Sequence, residues 1–391
     1  MHMLDHILSA YGFPPDCEIT PHGSGLINRT WRIRSPKGDF VLQQINSEVF
    51  TDPAMIADNI EQVASYLSTH FPDAIFPRPV LSLKGQPLVR VSLQQGSATD
   101  PHSAAMNADS PSGGTPPNGS PQAASAYFRL YPFIGNSVTI DVADTPSQAY
   151  EAAKKFGEFT RLLSGFPAYN LHQTLPGFHD LSRRYRDFRK ALDEGNTQRI
   201  RRSGQLIGYL ESQNNIVSEY EEIRANKGFQ LRVTHHDTKI SNVLFDHQGK
   251  GICVIDLDTM MPGYFISDVG DMLRTYLSPV SEEEKDLTLV TVRESYFQAI
   301  VEGYMQEMRD ELTATEKDAF VYAGAFMMYM QALRFLTDYL NDDVYYGRRY
   351  EDHNYVRALN QAMLLRQYNE MSPRLKAITR QVAAPSSSTP R

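Results

Sequence analysis

The sequence has little cysteine and no excess of basic residues, and each shortage excludes a class of protein. Only two cysteines, Cys17 and Cys253, occur among 391 residues. A disulfide framework is therefore not expected, and a reducing compartment such as the cytoplasm is favoured. Acidic residues outnumber basic ones by 46 to 38, giving a formal net charge of −8. This balance argues against a nucleic-acid-binding protein, which usually carries a basic face.

Long apolar runs are also missing. The N-terminus places Asp5 among its apolar residues and has no basic start followed by an apolar core, so neither a signal peptide nor a membrane span is predicted. With 41% hydrophobic and 21% charged residues, the chain is typical of a globular protein that is long enough for two lobes. We expect no membrane partner and a monomer or weak dimer.

The most informative stretch reads V-T-H-H-D-T-K-I-S-N-V-L-F-D from Val233, then V-I-D-L-D-T-M-M-P-G from Val254. Apolar, β-prone runs at 243–245 and 253–255 enclose a polar turn, which predicts a β-hairpin. The hairpin would carry Asp237, Asn242 and Asp256 at one end.

These three side chains have the chemistry that phosphoryl transfer requires. A carboxylate accepts the proton of the attacking hydroxyl, while an amide oxygen and a second carboxylate hold Mg²⁺ against the phosphates. The spacing H-x-D-x-x-x-x-N from His235, followed by Asp256, supplies them in that order. We predict Asp237 as the catalytic residue and Asn242 and Asp256 as metal ligands. The alternative is a chance polar loop beside an acidic strand end.

These residues resemble the aminoglycoside phosphotransferase and choline kinase group of small-molecule kinases, in particular its N-acetylhexosamine 1-kinase branch. The resemblance is thinner at the glycine turn near residue 23, at P-G-F-H-D (176–180) and at R-F-L-T-D-Y-L (334–340). It implies an α+β, protein-kinase-like two-lobe fold. The small lobe would be an antiparallel β-sheet with one helix, and the large lobe would be mainly helical, with ATP between them.

The resemblance also implies an activity, which is the ATP- and Mg²⁺-dependent phosphorylation of a small polyol or sugar. The anomeric hydroxyl of an N-acetylhexosamine is the favoured acceptor. His235 and Asp268 would support the catalytic loop, although Asp268 would also serve as a helix cap. An amino-alcohol, homoserine or aminoglycoside kinase remains open, as does a catalytically inactive nucleotide-binding protein.

The small lobe is predicted to span residues 1–134 and to contain the nucleotide site. A glycine turn lies between its first two strands and could cover the phosphates, although an ordinary β-turn also fits. The resemblance places the hinge that binds adenine near Tyr131 and Phe133, whose side chains are otherwise expected in the core. The turn residues of this prediction are Gly23, Ser24 and Gly25.

The third strand, at 39–45, departs from the family pattern. It carries Gln43 and Gln44 where the family has a basic residue that pairs with the α and β phosphates. A neutral amide cannot neutralise phosphate charge, so Arg32 or Arg34 on the neighbouring strand, or Mg²⁺ itself, is expected to compensate. Glu61 on the next helix is then either the family's pairing glutamate or a solvated surface residue.

Residues 96–126 are polar and contain no aromatic side chain, which predicts a disordered insert in a hairpin loop or, alternatively, a partner-binding tether. The large lobe is predicted at 135–380 and a disordered tail at 381–391.

Four residues are candidates for binding the acceptor: Asn28, Asp258, Arg334 and Asp338. The last two share one face of a helix, so they face the acceptor or pair with each other at the surface. His179 is a further loop residue that could touch the substrate, although a histidine bonded to backbone is the commoner case.

Overall fold

The computed structural model describes residues 3–23, 27–92 and 125–384, and these form two lobes. The small lobe contains a five-stranded sheet in which every pair of neighbouring strands is antiparallel, in the order β1-β2-β3-β5-β4. The strands are β1 (Glu18–Pro21), β2 (Arg29–Ser35), β3 (Gly38–Ile45), β4 (Val89–Ser92) and β5 (Ser125–Pro132).

Two helices accompany this sheet in the chain, and the first of them packs directly on it. Helix α1 (Met3–Ala10) packs Ile7 and Leu8 on a small core with Leu42, Phe128 and Leu130. Helix α2 (Pro53–His70) begins at a proline and is capped by the side chain of Asp52. The local sequence therefore specifies where this helix starts. The small lobe thus carries α1 in addition to the one helix expected of the resembling fold.

Ten helices make up most of the large lobe in the described part of the chain. Helix α11 is buried on nearly all sides and packs against α4, α8 and α12, which makes it the centre of this lobe. The helices are α3 (Pro146–Leu162), α4 (Leu181–Glu194), α5 (Thr197–Arg202), α6 (Gly204–Ser212), α7 (Asn215–Ala225), α8 (Phe265–Tyr276), α9 (Glu294–Met308), α10 (Ala314–Asp318), α11 (Phe320–Leu340) and α12 (His353–Ala383).

Two short antiparallel ribbons lie among these helices. Strand β6 (Arg232–Thr234) pairs with β9 (Met261–Gly263), and β7 (Val243–Phe245) pairs with β8 (Gly251–Val254), as the hairpin prediction requires. Just beyond the second ribbon, the N–H of Ile255 donates to the carbonyl of Asn242 at 2.9 Å. This bond places Asp256 beside Asn242 at one end of the hairpin.

The two-lobe α+β architecture is confirmed. The end of the predicted insert and the start of the predicted tail differ from the expectation. Strand β5 starts at Ser125, so Ser125 and Ala126 belong to the sheet and not to the predicted insert. The β4–β5 register pairs Ser92 with Ser125, and residues 93–124 lie outside the described residues. Helix α12 continues to Ala383, so the first residues of the predicted tail are helical. Within the described residues, no helix combines the length and the apolar character needed to cross a membrane.

Candidate active site

The loop between β6 and β7 is held from behind by α8. The fully buried carboxylate of Asp268 accepts hydrogen bonds from the peptide N–H groups of His235 (3.0 Å) and His236 (2.8 Å). One helical turn later, Asp271 accepts the N–H of Thr238 at 2.8 Å. Burial raises the pKa of Asp268 to about 6, although its N–H donors act in the opposite direction. The predicted support residue therefore lies directly behind the loop.

His235 is buried and connects the loop to the strand end opposite it. Its Nδ1 lies 3.3 Å from the N–H of Asp237, which requires Nδ1 to accept. Its Nε2 must then carry the proton and donate to the carbonyl of Ile255 at 2.9 Å. The imidazole thus fixes both the start of the loop and the approach to Asp256.

Asp237 lies half-buried at the front of the loop, among groups that favour its charged form. Its Oδ2 accepts a hydrogen bond from Nδ2 of Asn242 (3.1 Å), and its Oδ1 lies 3.2 Å from Nζ of Lys239. Burial alone would raise the pKa of Asp237, but the charge of Lys239 and the hydrogen bonds from Lys239 and Asn242 together lower it. Asp237 is therefore an ionised acceptor at neutral pH.

Asn242 and Asp256 lie next to each other and offer oxygen atoms to a metal ion. Both Asn242 contacts to Asp237 use Nδ2, so its Oδ1 remains an acceptor. Desolvation by the surrounding protein atoms and the like charges of Asp258 and Asp237 raise the pKa of Asp256 to about 7, although Asp256 is exposed to solvent. An amide oxygen beside a carboxylate that is repelled by its neighbours is a donor set that suits Mg²⁺.

Two residues of this site adopt a strained backbone conformation. His236 and Asp256 adopt φ angles of 67° and 61°, in a region that residues with a Cβ rarely occupy. Such conformations persist only where surrounding contacts enforce them, and they cluster at functional sites.

On the side of the small lobe, an ion pair links the sheet to the segment after Asp256. Arg129 of β5 pairs with Asp258, and their side chains are only 2% and 3% exposed. Asp258 also accepts a hydrogen bond from Nδ2 of Asn28 at 2.7 Å. Two of the predicted acceptor residues, Asn28 and Asp258, are thus brought together, but they bind each other and an arginine of the small lobe.

The strand alternation separates the two glutamines of β3. Gln43 lies opposite Arg129 in the β3–β5 register and accepts a hydrogen bond from its Nε at 3.0 Å. Gln44 lies opposite Phe128, a core residue, and therefore faces the other side of the sheet. Of the predicted pair, only Gln43 lies on the face that carries Arg129.

The expected compensating arginines are already paired. Arg32 binds Asp39, and Arg34 binds Glu18 at the exposed edge of the sheet. Glu61 does not meet the third strand either, because its carboxylate forms a partly exposed ion pair with Arg78.

The nucleotide-flap and hinge predictions are only partly covered by the structure. Gly23 has a φ of 78°, as a glycine turn allows, whereas Ser24 and Gly25 lie outside the described residues. Tyr131 lies two positions beyond Arg129 on β5 and so faces the same side. The N–H of Phe133 already donates to the carbonyl of Asp39 at 2.9 Å, so this atom is not free for an adenine ring.

On the other side of the catalytic loop, a row of rings leads from His236 to Arg334. The rings of His236 and His179 lie 5.2 Å apart, and His179 stacks on Phe178 at 4.5 Å. The guanidinium of Arg334 lies 5.4 Å from the Phe178 ring and borders a cavity of about 400 Å³ between α4 and α11. Two rings, those of Phe178 and His179, thus lie between Arg334 and His236, and the acceptor role of Arg334 stays a prediction.

Asp338 has a different environment. Its carboxylate is 4% exposed and accepts the N–H groups of Tyr345 (2.6 Å) and Tyr346 (2.8 Å) and Nδ2 of Asn354 (3.1 Å). Among the described residues it forms no ion pair with Arg334, which binds Gln331 instead. The surface pair considered as an alternative is therefore not formed, and Asp338 holds the turn after α11.

Sequence reasoning missed three basic residues of the site: Lys239, Arg129 and Arg184. Lys239 could have been found, since it lies two residues after the predicted catalytic aspartate. Arg129 pairs with Asp258, and Arg184 borders the same cavity as Arg334. Both come to these places only through the tertiary fold, and no local sequence pattern predicts them.

Comparison with known proteins agrees with this geometry. The sequence model described as "Phosphotransferase enzyme family" matches residues 18–304. A microcompartment-associated aminopropanol kinase is 13% identical, with a TM-score of 0.59 and coverage of 96% of this chain and 98% of that one. An aminoglycoside phosphotransferase from Alicyclobacillus acidocaldarius is 12% identical, with a TM-score of 0.58 over 96% and 95%.

A choline kinase from Cryptosporidium parvum is also similar, at 12% identity and a TM-score of 0.54, with 95% of this chain and 96% of that chain covered. Identities this low show a shared fold alone. The family match carries more, because it spans well over half of the chain and includes the catalytic loop, the hairpin and α8. The chain belongs to the phosphotransferase enzyme family.

Proposed function

We propose that this phosphotransferase moves the γ-phosphoryl group of ATP, with Mg²⁺, to a hydroxyl of a small sugar or polyol. The acceptor that we favour is the anomeric hydroxyl of an N-acetylhexosamine. The observation that carries the proposal is the contact of the Asp237 carboxylate with Asn242, beside Asp256 just beyond the end of β8. The two cysteines of the chain are free, which fits an enzyme of the cytoplasm, and we propose a monomer or weak dimer.

In this proposal the charge of Asp237 is the central catalytic feature. Lys239 keeps the carboxylate ionised, so it can orient the acceptor hydroxyl and take up its proton as the O–P bond forms. Oδ1 of Asn242 and the carboxylate of Asp256 would hold Mg²⁺. When bound, Mg²⁺ neutralises phosphate charge and orients the phosphates.

The surroundings of Arg334 favour an acceptor without positive charge. No carboxylate of the described residues lies within ion-pair distance of Arg334, and the nearest one to Arg184 is Asp187, at 4.0 Å. Burial and the neighbouring Arg334 lower the pKa of Arg184 to about 10, which reflects two guanidinium groups in close proximity. An ammonium group placed beside them would be repelled, whereas sugar hydroxyl or amide oxygens would accept their hydrogen bonds.

A cationic acceptor is the second candidate, because the similar structures include an aminopropanol kinase and a choline kinase. Asp187, Asp338 and Glu194 border the same cavity and could attract an amine. However, Glu194 already lies 3.6 Å from Lys190, in an exposed pair. The carboxylate of Asp338 already accepts three hydrogen bonds, from Tyr345, Tyr346 and Asn354. We therefore take the two guanidinium groups as the reason to favour the sugar.

The test is an ADP-release assay with ATP and Mg²⁺ over two matched acceptor sets. One set contains N-acetylglucosamine, N-acetylgalactosamine, glucose and galactose, and the other contains choline, aminopropanol, homoserine and an aminoglycoside. We expect turnover with the N-acetylhexosamines, and a phosphorus signal coupled to the anomeric proton in the product. Turnover confined to the amines would show that the acceptor is cationic, which is the second candidate. Binding of ATP with no turnover of any acceptor would indicate an inactive nucleotide-binding protein.

A further inference from the structure

The buried ion pair of Arg129 and Asp258 has no part in the proton transfer or the metal binding proposed above. Removing two charges from water carries a desolvation penalty that their attraction often fails to offset, so such a pair is weak evidence for stability. It joins a strand of the small lobe to the segment two residues beyond Asp256. A pair in this position touches the region where the nucleotide phosphates must lie.

Protein kinases place a lysine of the third strand on the nucleotide phosphates and orient it with a glutamate from the following helix. Both parts of that pair are absent from their usual places here. The third strand has Gln43, and Glu61 on α2 is bound to Arg78 at the surface. The described residues nevertheless include one buried cation on the same face of the sheet, one strand away from Gln43.

The register explains how a residue of β5 can replace one of β3. Gln43 and Arg129 are direct cross-strand partners, so their side chains leave the same face at the same height. The Nε of Arg129 donates to Oε1 of Gln43, which anchors the guanidinium at the position where a β3 lysine would begin.

The arginine also has unused hydrogen-bonding capacity. Its bond to Gln43 employs Nε, and its ion pair with Asp258 employs Nη1. The N–H groups of Nη2 form no hydrogen bond with a described residue. A guanidinium can present two parallel N–H groups to phosphate oxygens, which a lysine cannot.

We infer that Arg129 is the residue that binds the α and β phosphates of the nucleotide, with Asp258 as the carboxylate that positions it. Protein kinases form this ion pair between the third strand and the following helix. Here the pair joins β5 to the segment after β8, and Gln43 supports the guanidinium. This inference rests on the proposed function, since it requires ATP to bind between the lobes.

The experiment compares the affinities for ADP and for adenosine, with Mg²⁺ present, by isothermal titration calorimetry. The main variant combines Arg129→Met with Asp258→Asn, which removes both charges and leaves no unpaired charge in the interior. A second variant combines Arg129→Met with Gln43→Lys, which returns the cation to β3 and keeps a partner for Asp258. Arg34→Gln is the control, because Arg34 lies on the same sheet but pairs with the exposed Glu18.

We expect the first variant to lose about ten- to a hundredfold in ADP affinity, the value of a charge-assisted hydrogen bond, and to keep its adenosine affinity. The second variant should recover most of the ADP affinity, and the control should match the wild type. An unchanged ratio of ADP to adenosine affinity in the first variant overturns the inference. So does an equal loss for both ligands, which would show that the pair only holds the lobes together.

If the charge-free variant does not fold, as judged by circular dichroism, Arg129→Lys decides the question. Lysine keeps the charge but loses both the fork and the bond to Gln43, so the ADP-to-adenosine ratio should fall several-fold. A wild-type ratio in that variant would overturn the inference. The proposed function fails separately, if the wild-type protein binds neither ADP nor ATP in the presence of Mg²⁺.

Discussion

The carboxylate of Asp268 accepts a hydrogen bond of 2.8 Å from the peptide N–H of His236, the residue directly before Asp237. Its other oxygen accepts the N–H of His235 at 3.0 Å. His236 adopts a φ angle of 67°, which costs free energy that these bonds help to offset. The position of the proposed catalytic carboxylate therefore depends on a residue that lies behind the loop.

Replacing Asp268 with Asn should lower both stability and turnover. The amide has one acceptor oxygen, so one of the two N–H groups would lose its buried partner, at a cost of about 2 kcal/mol. Urea unfolding and steady-state kinetics measure the two effects, with the exposed Asp318→Asn on α10 as a control. If the unfolding free energy and the turnover of Asp268→Asn both equal those of the wild type, Asp268 does not support the loop.

Asp237→Asn tests the chemistry directly. We expect kcat to fall by at least about a hundredfold, since the proton acceptor is lost, while the affinity for ATP changes little. The assay is single-turnover phosphorylation of the acceptor, together with calorimetric titration of ATP. Near-parental turnover would assign the catalytic role to another residue.

Asp256→Asn should act on the metal. Removal of a ligand charge is expected to raise the Mg²⁺ concentration needed for half-maximal rate and to weaken Mg²⁺-dependent ATP binding. A titration of rate against Mg²⁺ at saturating ATP shows this shift, which Asp237→Asn should not share. If the Mg²⁺ requirement stays unchanged, the metal is held elsewhere.

Arg334 and Asp338 should respond in different assays when each is replaced. Arg334→Met is expected to raise the acceptor KM by about ten- to a hundredfold, as one lost charge-assisted hydrogen bond implies, with nucleotide affinity preserved. Asp338→Asn should instead lower the free energy of unfolding by about 2 kcal/mol, because the carboxylate holds Tyr345 and Tyr346. Acceptor titrations at saturating ATP and urea unfolding of both variants would separate the two roles, and an exchange of their effects would contradict this assignment.

Two histidines, the buried His236 and the half-buried His179, should make stability fall as the solution becomes acidic. Burial lowers the pKa of His236 to about 4, and that of His179 lies well below its ordinary value of 6.5. Between pH 6.5 and 4 the unfolded chain therefore binds more protons at these sites than the folded chain does. The histidine contribution is complete above pH 6.5 and decreases by up to about 1.4 kcal/mol per pH unit for each histidine below it.

Other groups act in the same pH range, so the comparison must be made between variants. The raised pKa of Asp268, about 6, acts in the opposite direction, because the folded state holds its proton more tightly. His236→Gln and His179→Gln should each flatten the fall in unfolding free energy from pH 6.5 to 4, whereas His247→Gln on the exposed hairpin turn should not. Equal slopes in all three variants would show that the histidines do not carry this dependence.

The sequence was sufficient for the parts of the site that are close together along the chain. The spacing from His235 to Asn242 and the apolar runs after it specify a loop and a hairpin, and the structure has both. The fold class followed from the same stretch through its resemblance to known kinases. Alternation along β3 could also have separated Gln43 from Gln44, since Leu42 and Gln44 share a face.

What the sequence could not supply were pairings between distant residues. Arg129 and Asp258 meet only because β5 pairs with β3 in the sheet and because the segment after β8 lies against that sheet. Likewise, the partners of Arg32, Arg34 and Glu61 are set by strand register and helix packing. Two arginines expected to bind phosphate and the expected pairing glutamate therefore form ordinary ion pairs.

The pairing of Ser92 with Ser125 has a consequence for how this protein can be altered. These residues end one strand and begin the next, directly opposite each other, so the chain leaves the sheet and re-enters it at a single point. The geometry at that point is independent of how many residues lie between, and closing a longer connection adds little free energy. A reporter domain whose own termini are adjacent could therefore be inserted between residues 92 and 125, and the sheet would accept it as readily as the present segment.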